Sequence, residues 1–252
     1  MATVDFVERH WPKMAVALIL TFASGLVDIT GYLSIFHLFT AHLTGTTVHL
    51  GYSLIDRSWT NVLAASSIVG AFVGGSILGR VLIEIGARRR FRRIASVTLV
   101  IEAIILFAAI RSPAGDVAAT YRGLALLAGA MGVQTATLTG IGPLTVHTTF
   151  VTGMLNKFGQ LVSHILFRGY DLRKSRAVKS ALEQDQHRDI QMASFLAIVW
   201  CCYVAGAAFG TWSFDLWRIK SLFIAILLLV LSVIADHFWP LSIQEEHEQS
   251  ER

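Results

Sequence analysis

Apolar positions in this chain gather into long runs. A helix needs roughly 20 mainly apolar residues to cross a bilayer, and six runs come to about that length: 14–38, 60–84, 93–111, 121–141, 193–214 and 219–238. Two further segments, 40–55 and 144–167, mix apolar with polar residues, and the second is long enough to cross. The pattern predicts an all-α, polytopic membrane helix bundle with six or eight crossings. Residues 14–23 could pass for the core of a signal peptide. The apolar stretch continues to about residue 38 without a convincing small-residue cleavage site, so it reads as the first span.

Composition supports the membrane class. The chain has 252 residues, 54% hydrophobic and 15% charged, with a mean hydropathy of +0.59; soluble domains carry about 25% charged residues. A net charge of +4 could point to nucleic acid. The arginines, however, sit in short loops between apolar runs, where membrane topology accounts for them. Cys201 and Cys202 are adjacent inside an apolar run and resemble neither a disulfide framework nor a zinc site.

The basic loops decide the span count. Arg88, Arg89, Arg90, Arg92 and Arg93 form one; Arg168, Arg173, Lys174, Arg176, Lys179 and Arg188 form another. Short loops rich in Lys and Arg stay cytoplasmic. Eight crossings would put these loops on opposite sides. Six put both in the cytoplasm together with both termini, leaving 40–55 and 144–167 to dip in and return or to lie as broken helices. Irregular backbone at membrane depth is tolerated where protein buries it or where it lines a wet cavity.

An internal repeat fits this count. "GLVDITGYL" (Gly25 to Leu33) leads to "LTGTT" (Leu43 to Thr47), and "GVQTATLTG" (Gly132 to Gly140) leads to "VTGML" (Val151 to Leu155). In the spans that follow, "VGAFVGG" carries Gly70 and Gly74, and "AGAAFGT" carries Gly206 and Gly210. Both are GxxxG pairs, which let helices approach closely. The longer spacing in the second copy is taken up by segment 168–192, read as a cytoplasmic insertion. The reading is two three-span repeats, 1–111 and 112–252, the second ending in an acidic tail. Three spans per copy make the repeats inverted, an architecture of many secondary transporters, whose sites lie near the midplane where broken helices meet.

The candidate site follows from the cost of polar groups in hydrocarbon. Asp28 lies near the middle of the first span, where a charge costs at least about 2.5–3.5 kcal/mol on insertion scales. Asp28, Thr44, Gly45, Gln134, Thr152 and Gly153 are expected to converge as a substrate site. Glu102, inside the third span, raises the same cost argument without a motif around it. His37, His42, His49, His147 and His164 lie on or beside the polar segments but show no metal-site pattern such as HExxH. Trp11, Trp59, Trp212, Trp217 and Trp239 fall at predicted span ends, as an aromatic belt places them.

"GLVDITGYLSIFHLFTAHLTGTTVHLG" and "GVQTATLTGIGPLTVHTTFVTGMLNKFGQL" resemble the two signatures of the YoaK-like family of bacterial membrane proteins, domain of unknown function 1275. Asp28, Thr44, Gly45, Gly132, Gln134, Thr148, Thr149, Thr152 and Gly153 match its pattern. Thr46 and Thr135 stand where that pattern has Asn, which puts any role of those amides in doubt. The resemblance implies a bacterial cytoplasmic (inner) membrane protein of about six spans and names no substrate.

The function expected is a small-solute secondary transporter or permease. Its partners would be the lipid bilayer, a small solute and a coupling ion, proton or sodium. The alternatives are a non-catalytic membrane scaffold or sensor and, behind it, a membrane-embedded enzyme. No nucleophile elbow, HExxH or P-loop is present, so the expectation is no enzyme, no cofactor and no metal. Transport without an ATP motif would be passive or gradient-driven.

Overall fold

The computed structural model describes residues 6–34, 37–91, 93–112, 117–137, 140–141, 144–145, 148–174 and 179–241. The acidic tail and His147 lie outside them. The first half contributes four helices: α1 (Phe6–Tyr32), α2 (Leu43–Ile55), α3 (Trp59–Arg88) and α4 (Ile94–Ile110). The second contributes α5 (Val117–Thr137), a hairpin of two-residue strands β1 (Gly140–Ile141) and β2 (Leu144–Thr145), then α6 (Val151–Lys174), α7 (Lys179–Trp217) and α8 (Leu222–Phe238). A 3₁₀ turn, Arg218–Ser221, joins α7 to α8, and Arg218 there takes a positive φ of 51°.

Three stretches are apolar and long enough to cross a bilayer: His10–Tyr32, Trp59–Arg88, and Glu183–Phe238, which covers most of α7 and all of α8. Helix α4 is a shorter apolar helix. Exposed Leu63, Val73 and Ile77 on α3 and Leu227, Val230 and Ile234 on α8 make a surface suited to lipid tails rather than water. The bundle is thus that of a helical membrane protein. Helix α1 is its centre: 67% of its apolar stretch is buried, against 28% for α3.

Contacts between side chains fix the directions of the helices. Thr30 near the end of α1 meets Ser221 at the start of α8 (3.5 Å). At the other end, Trp11 meets Trp239 edge-on (centroids 5.4 Å), so α1 and α8 are antiparallel. Ser96 near the start of α4 donates to Asp236 near the end of α8. Thr137 at the end of α5 donates to Thr98 (3.0 Å), so α5 runs against α4. Backbone approaches of Gly206 to Phe22 and of Gly210 to Leu26 make α1 and α7 parallel, and those of Gly75 to Gly129 and of Gly79 to Val133 make α3 and α5 parallel. Helices α1, α3, α4, α5, α7 and α8 therefore alternate in direction. Both described ends of the chain, the α3–α4 connection and the α6–α7 connection lie at one end of the bundle.

Three sequence expectations shift. The first span ends at Tyr32 rather than near residue 38, because the chain turns back there onto its own helix. Segment 168–192 is largely helical: α6 and α7 extend into it and pack on each other, with Arg168 bonded to Asp189 (2.9 Å) and facing Asp185 (3.6 Å). The close-packing glycines of α3 are Gly75 and Gly79, where a Cβ would strike the backbone of α5; Gly70 and Gly74 have nothing within 4 Å.

The main core is formed where α1, α4, α5 and α8 meet, around Leu20, Leu26, Leu99, Leu106, Leu127, Met131, Leu222 and Leu229. A second cluster joins α6 and α7 to the hairpin through Met154, Leu161, Phe195 and Val199 with Ile141 and Leu144.

Candidate functional site

Two breaks carry the polar interior. After Tyr32 the chain turns, passes His37 in a left-handed conformation (φ 48°) and runs without helix to His42. Gly31 admits this return, since a Cβ there would strike Thr40. The return segment is anchored on Asp28, which is 2% exposed. Its Oδ1 accepts from the amides of Thr40 (2.7 Å) and Ala41 (2.8 Å) and from Thr40 Oγ1 (3.2 Å); its Oδ2 accepts from Tyr203 Oη of α7 (2.7 Å). A carboxylate in hydrocarbon needs such donors to offset desolvation, and these four are neutral. Gly25 brings α7 within reach, because a side chain there would collide with the Tyr203 carbonyl.

The second break lies between α5 and α6. Gln134 is fully buried. Its Nε2 donates to the Leu20 carbonyl (2.8 Å) and to Ser24 Oγ (2.9 Å) on α1, and lies 3.4 Å from Thr148 Oγ1. Its Oε1 has no hydrogen-bond partner. Thr135 and Thr149 share a hydrogen bond (2.5 Å), which ties the return segment to α5 as Asp28 ties the first to α1. Each break is followed by a helix that keeps the direction of the one before it. Helix α2 packs antiparallel on α3 through the tight turn 56–58, and α6 runs antiparallel to α7.

Of the six expected site residues, the structure buries two, and these share no hydrogen-bond partner: Asp28 bonds Thr40, Ala41 and Tyr203, and Gln134 bonds Leu20, Ser24 and Thr148. Asp28 and Gln134 are both buried and both bound along one row of α1, Leu20–Ser24–Asp28. Thr44 and Thr152 are exposed at the starts of α2 and α6. Gly45 abuts the His42 ring and Gly153 the Phe150 ring, so the two Thr-Gly pairs mark equivalent helix starts. The buried hydroxyls are instead Ser24, Thr40, Thr148 and Thr149. Thr46 is buried too and donates to the Phe39 carbonyl (2.9 Å). With Thr135 it closes the breaks at the two places where the family pattern has Asn.

Sequence reasoning missed Tyr203. The available signal was a phenol in an apolar run, where a buried hydroxyl must find a partner. His42 packs edge-on to Phe39 (5.8 Å), and His49 lies 3.3 Å from Ser53. Among the described residues no three His, Cys, Asp or Glu side chains are grouped as metal ligands would be.

A family model described as "Protein of unknown function (DUF1275)" matches residues 16–235. The chain is similar to the UPF0700 transmembrane protein YoaK of Bacillus subtilis (strain 168), with 28% identity over 150 residues that cover 59% of this chain and 67% of that protein. No solved structure matches the chain.

Proposed function

The chain belongs to the DUF1275 family, and on that premise we propose that it is a small-solute permease of the inner membrane, built as two inverted three-span repeats, 14–111 and 121–238. One observation carries the reading: the two halves pack through the same contacts in the same register. Phe22, Gly25, Leu26 and Ile29 of α1 meet Gly206, the segment Tyr203–Ala207, and Gly210; Gly129, Gly132, Val133 and Ala136 of α5 meet Gly75, the segment Phe72–Ser76, and Gly79. Helix α1 corresponds to α5 and α7 to α3, and the paired helices run in opposite senses. Asp28 with Thr40 then corresponds to Thr135 with Thr149.

Inverted repeats with broken helices beside a buried polar network suit alternating access, one half moving against the other. Asp28, Gln134 and the hydroxyls of Ser24, Thr40, Thr148 and Thr149 would receive the solute, with Thr44, Gly45, Thr152 and Gly153 at the mouths of the breaks. The Asp28 oxygens are taken by the chain itself, so this conformation is a closed one: the solute reaches Asp28 only when segment 37–42 lifts away. The basic connections at one end of the bundle favour a cytoplasmic location for that end and for both termini. The saturated Asp28 also supports a second reading, a scaffold or sensor in which the carboxylate only locks helices together.

Solute-dependent thermal shifts across a metabolite panel, followed by uptake into proteoliposomes, test the proposal. Asp28→Asn keeps the shape and removes the charge. The permease reading expects this variant to fold and to lose uptake; full uptake would remove Asp28 from the mechanism, and no shift or uptake with any solute would favour the scaffold. Cysteine labelling at 168–192 from outside intact cells, in a background lacking Cys201 and Cys202, would overturn the orientation.

A further inference from the structure

Glu102 is a buried acid that the polar contacts of the two breaks do not use. It lies in the middle of α4 at 1% exposure, between Leu99 and Leu106 in the core where α1, α4, α5 and α8 meet. Neither of its carboxyl oxygens has a hydrogen-bond partner. Asp28, by contrast, draws four donors. An ionised carboxylate left bare in so apolar a place is strongly disfavoured, and such groups neutralise.

The ionisable groups around α4 leave it alone. Asp236 on α8 faces the start of α4, its oxygens taken by Ser96 and the Leu241 amide; His237 beyond it is exposed. Helix α5 carries Tyr121 and Arg122 near its start, at the opposite end of the bundle from Asp236. Arg80, Glu84 and Arg88 of α3 are exposed. Asp28 on α1 is held in its own cage. A hard metal cation would demand several more oxygens around the carboxylate, and none is bonded to it.

The position does not call for an acid on packing grounds. Leu99, Leu106 and Ala109 fill neighbouring positions of this buried face of α4 with hydrocarbon.

We propose that Glu102 is a proton-binding site at the centre of the bundle. Its carboxyl holds a proton while the helices are closed around it. When they part, the O–H bond breaks, the proton passes to entering water and a carboxylate remains until it is reprotonated. The inference deepens the permease reading and rests on it for the opening motion; it identifies the coupling ion as the proton.

Infrared spectroscopy of the purified protein tests the site without any solute. The expected result is a protonated-carboxyl C=O band at neutral pH that is absent from Glu102→Gln, retained in Asp28→Asn, and shifted within minutes of transfer to D₂O. If Glu102→Gln does not fold, Glu102→Asp serves, and must move the band. A carboxylic-acid band unchanged by substitution at Glu102 overturns the proposal. So does a Glu102 band that never exchanges, since that residue would be sealed permanently. A solute panel that yields no uptake while the band still exchanges removes the permease reading and leaves the proton site standing.

Discussion

The two breaks, set against each other by the proposed repeat, are closed by different chemistry. In the first, a carboxylate gathers two backbone amides, a threonine and a tyrosine across three segments of chain. In the second, Thr135, which the proposed repeat sets against Asp28, shares one hydroxyl hydrogen bond with Thr149, while neighbouring Gln134 keeps an unpartnered oxygen. The first break is tied by a charged hub and the second by neutral pairs. A charge-assisted hydrogen bond contributes about 1.5–3 kcal/mol and a neutral one about 0.5–1.5 kcal/mol, so the second return segment is the one that opens more cheaply. Two halves of similar shape can thus be given unequal strength by one residue.

The largest expected effect breaks the hub. Asp28→Ala strands two buried amides and two hydroxyls and is expected to cost about 3–5 kcal/mol. Thr135→Val, its counterpart, is expected to cost about 1 kcal/mol. Denaturant unfolding in detergent checks both, and equal losses would abolish the proposed asymmetry. The next effect sharpens the correspondence between halves. Gly75→Leu and Gly206→Leu each drive a side chain into a neighbouring helix backbone and are expected to cost about 3 kcal/mol or more. Gly70→Leu and Gly74→Leu, on an open face of α3, are expected to stay within about 0.5 kcal/mol. Melting temperatures that rank the four variants otherwise would reject the register. A third, weaker effect isolates one strut: Tyr203→Phe removes a single bond to Asp28 and is expected to cost about 1.5 kcal/mol, read from the same unfolding curves.

Much of this was legible in the sequence, and the gaps have physical causes. Long apolar runs and basic connections gave the helices and the end of the bundle they share, because span length and desolvation act on composition alone. Asp28 and Gln134 stood out for the same reason. The glycine register did not, since "VGAFVGGSILG" holds two consecutive GxxxG pairs (Gly70/Gly74 and Gly75/Gly79) and only the partner helix selects between them. Tyr203 and Thr40 were hidden because their importance comes from a fold-back that no local pattern announces. Segment 168–192 read as a cytoplasmic insertion because its charged residues interrupt the apolar pattern, and the bond from Arg168 to Asp189 that ties α6 to α7 spans 21 residues and leaves no local signature.

The pairing of α1 with α7 also has a consequence for how the protein is made. The face of α1 around Gly25 is covered by a helix that ends at Trp217, far later in the chain. At ribosomal speeds of about 5–20 residues per second, α1 waits on the order of 10–40 s for its partner. During that interval Asp28 has Thr40 and Ala41 within reach but not Tyr203. The return segment, emerging directly behind the helix, is therefore what shelters the charge while the nascent chain grows, and the lock across the bundle closes only when synthesis is nearly over.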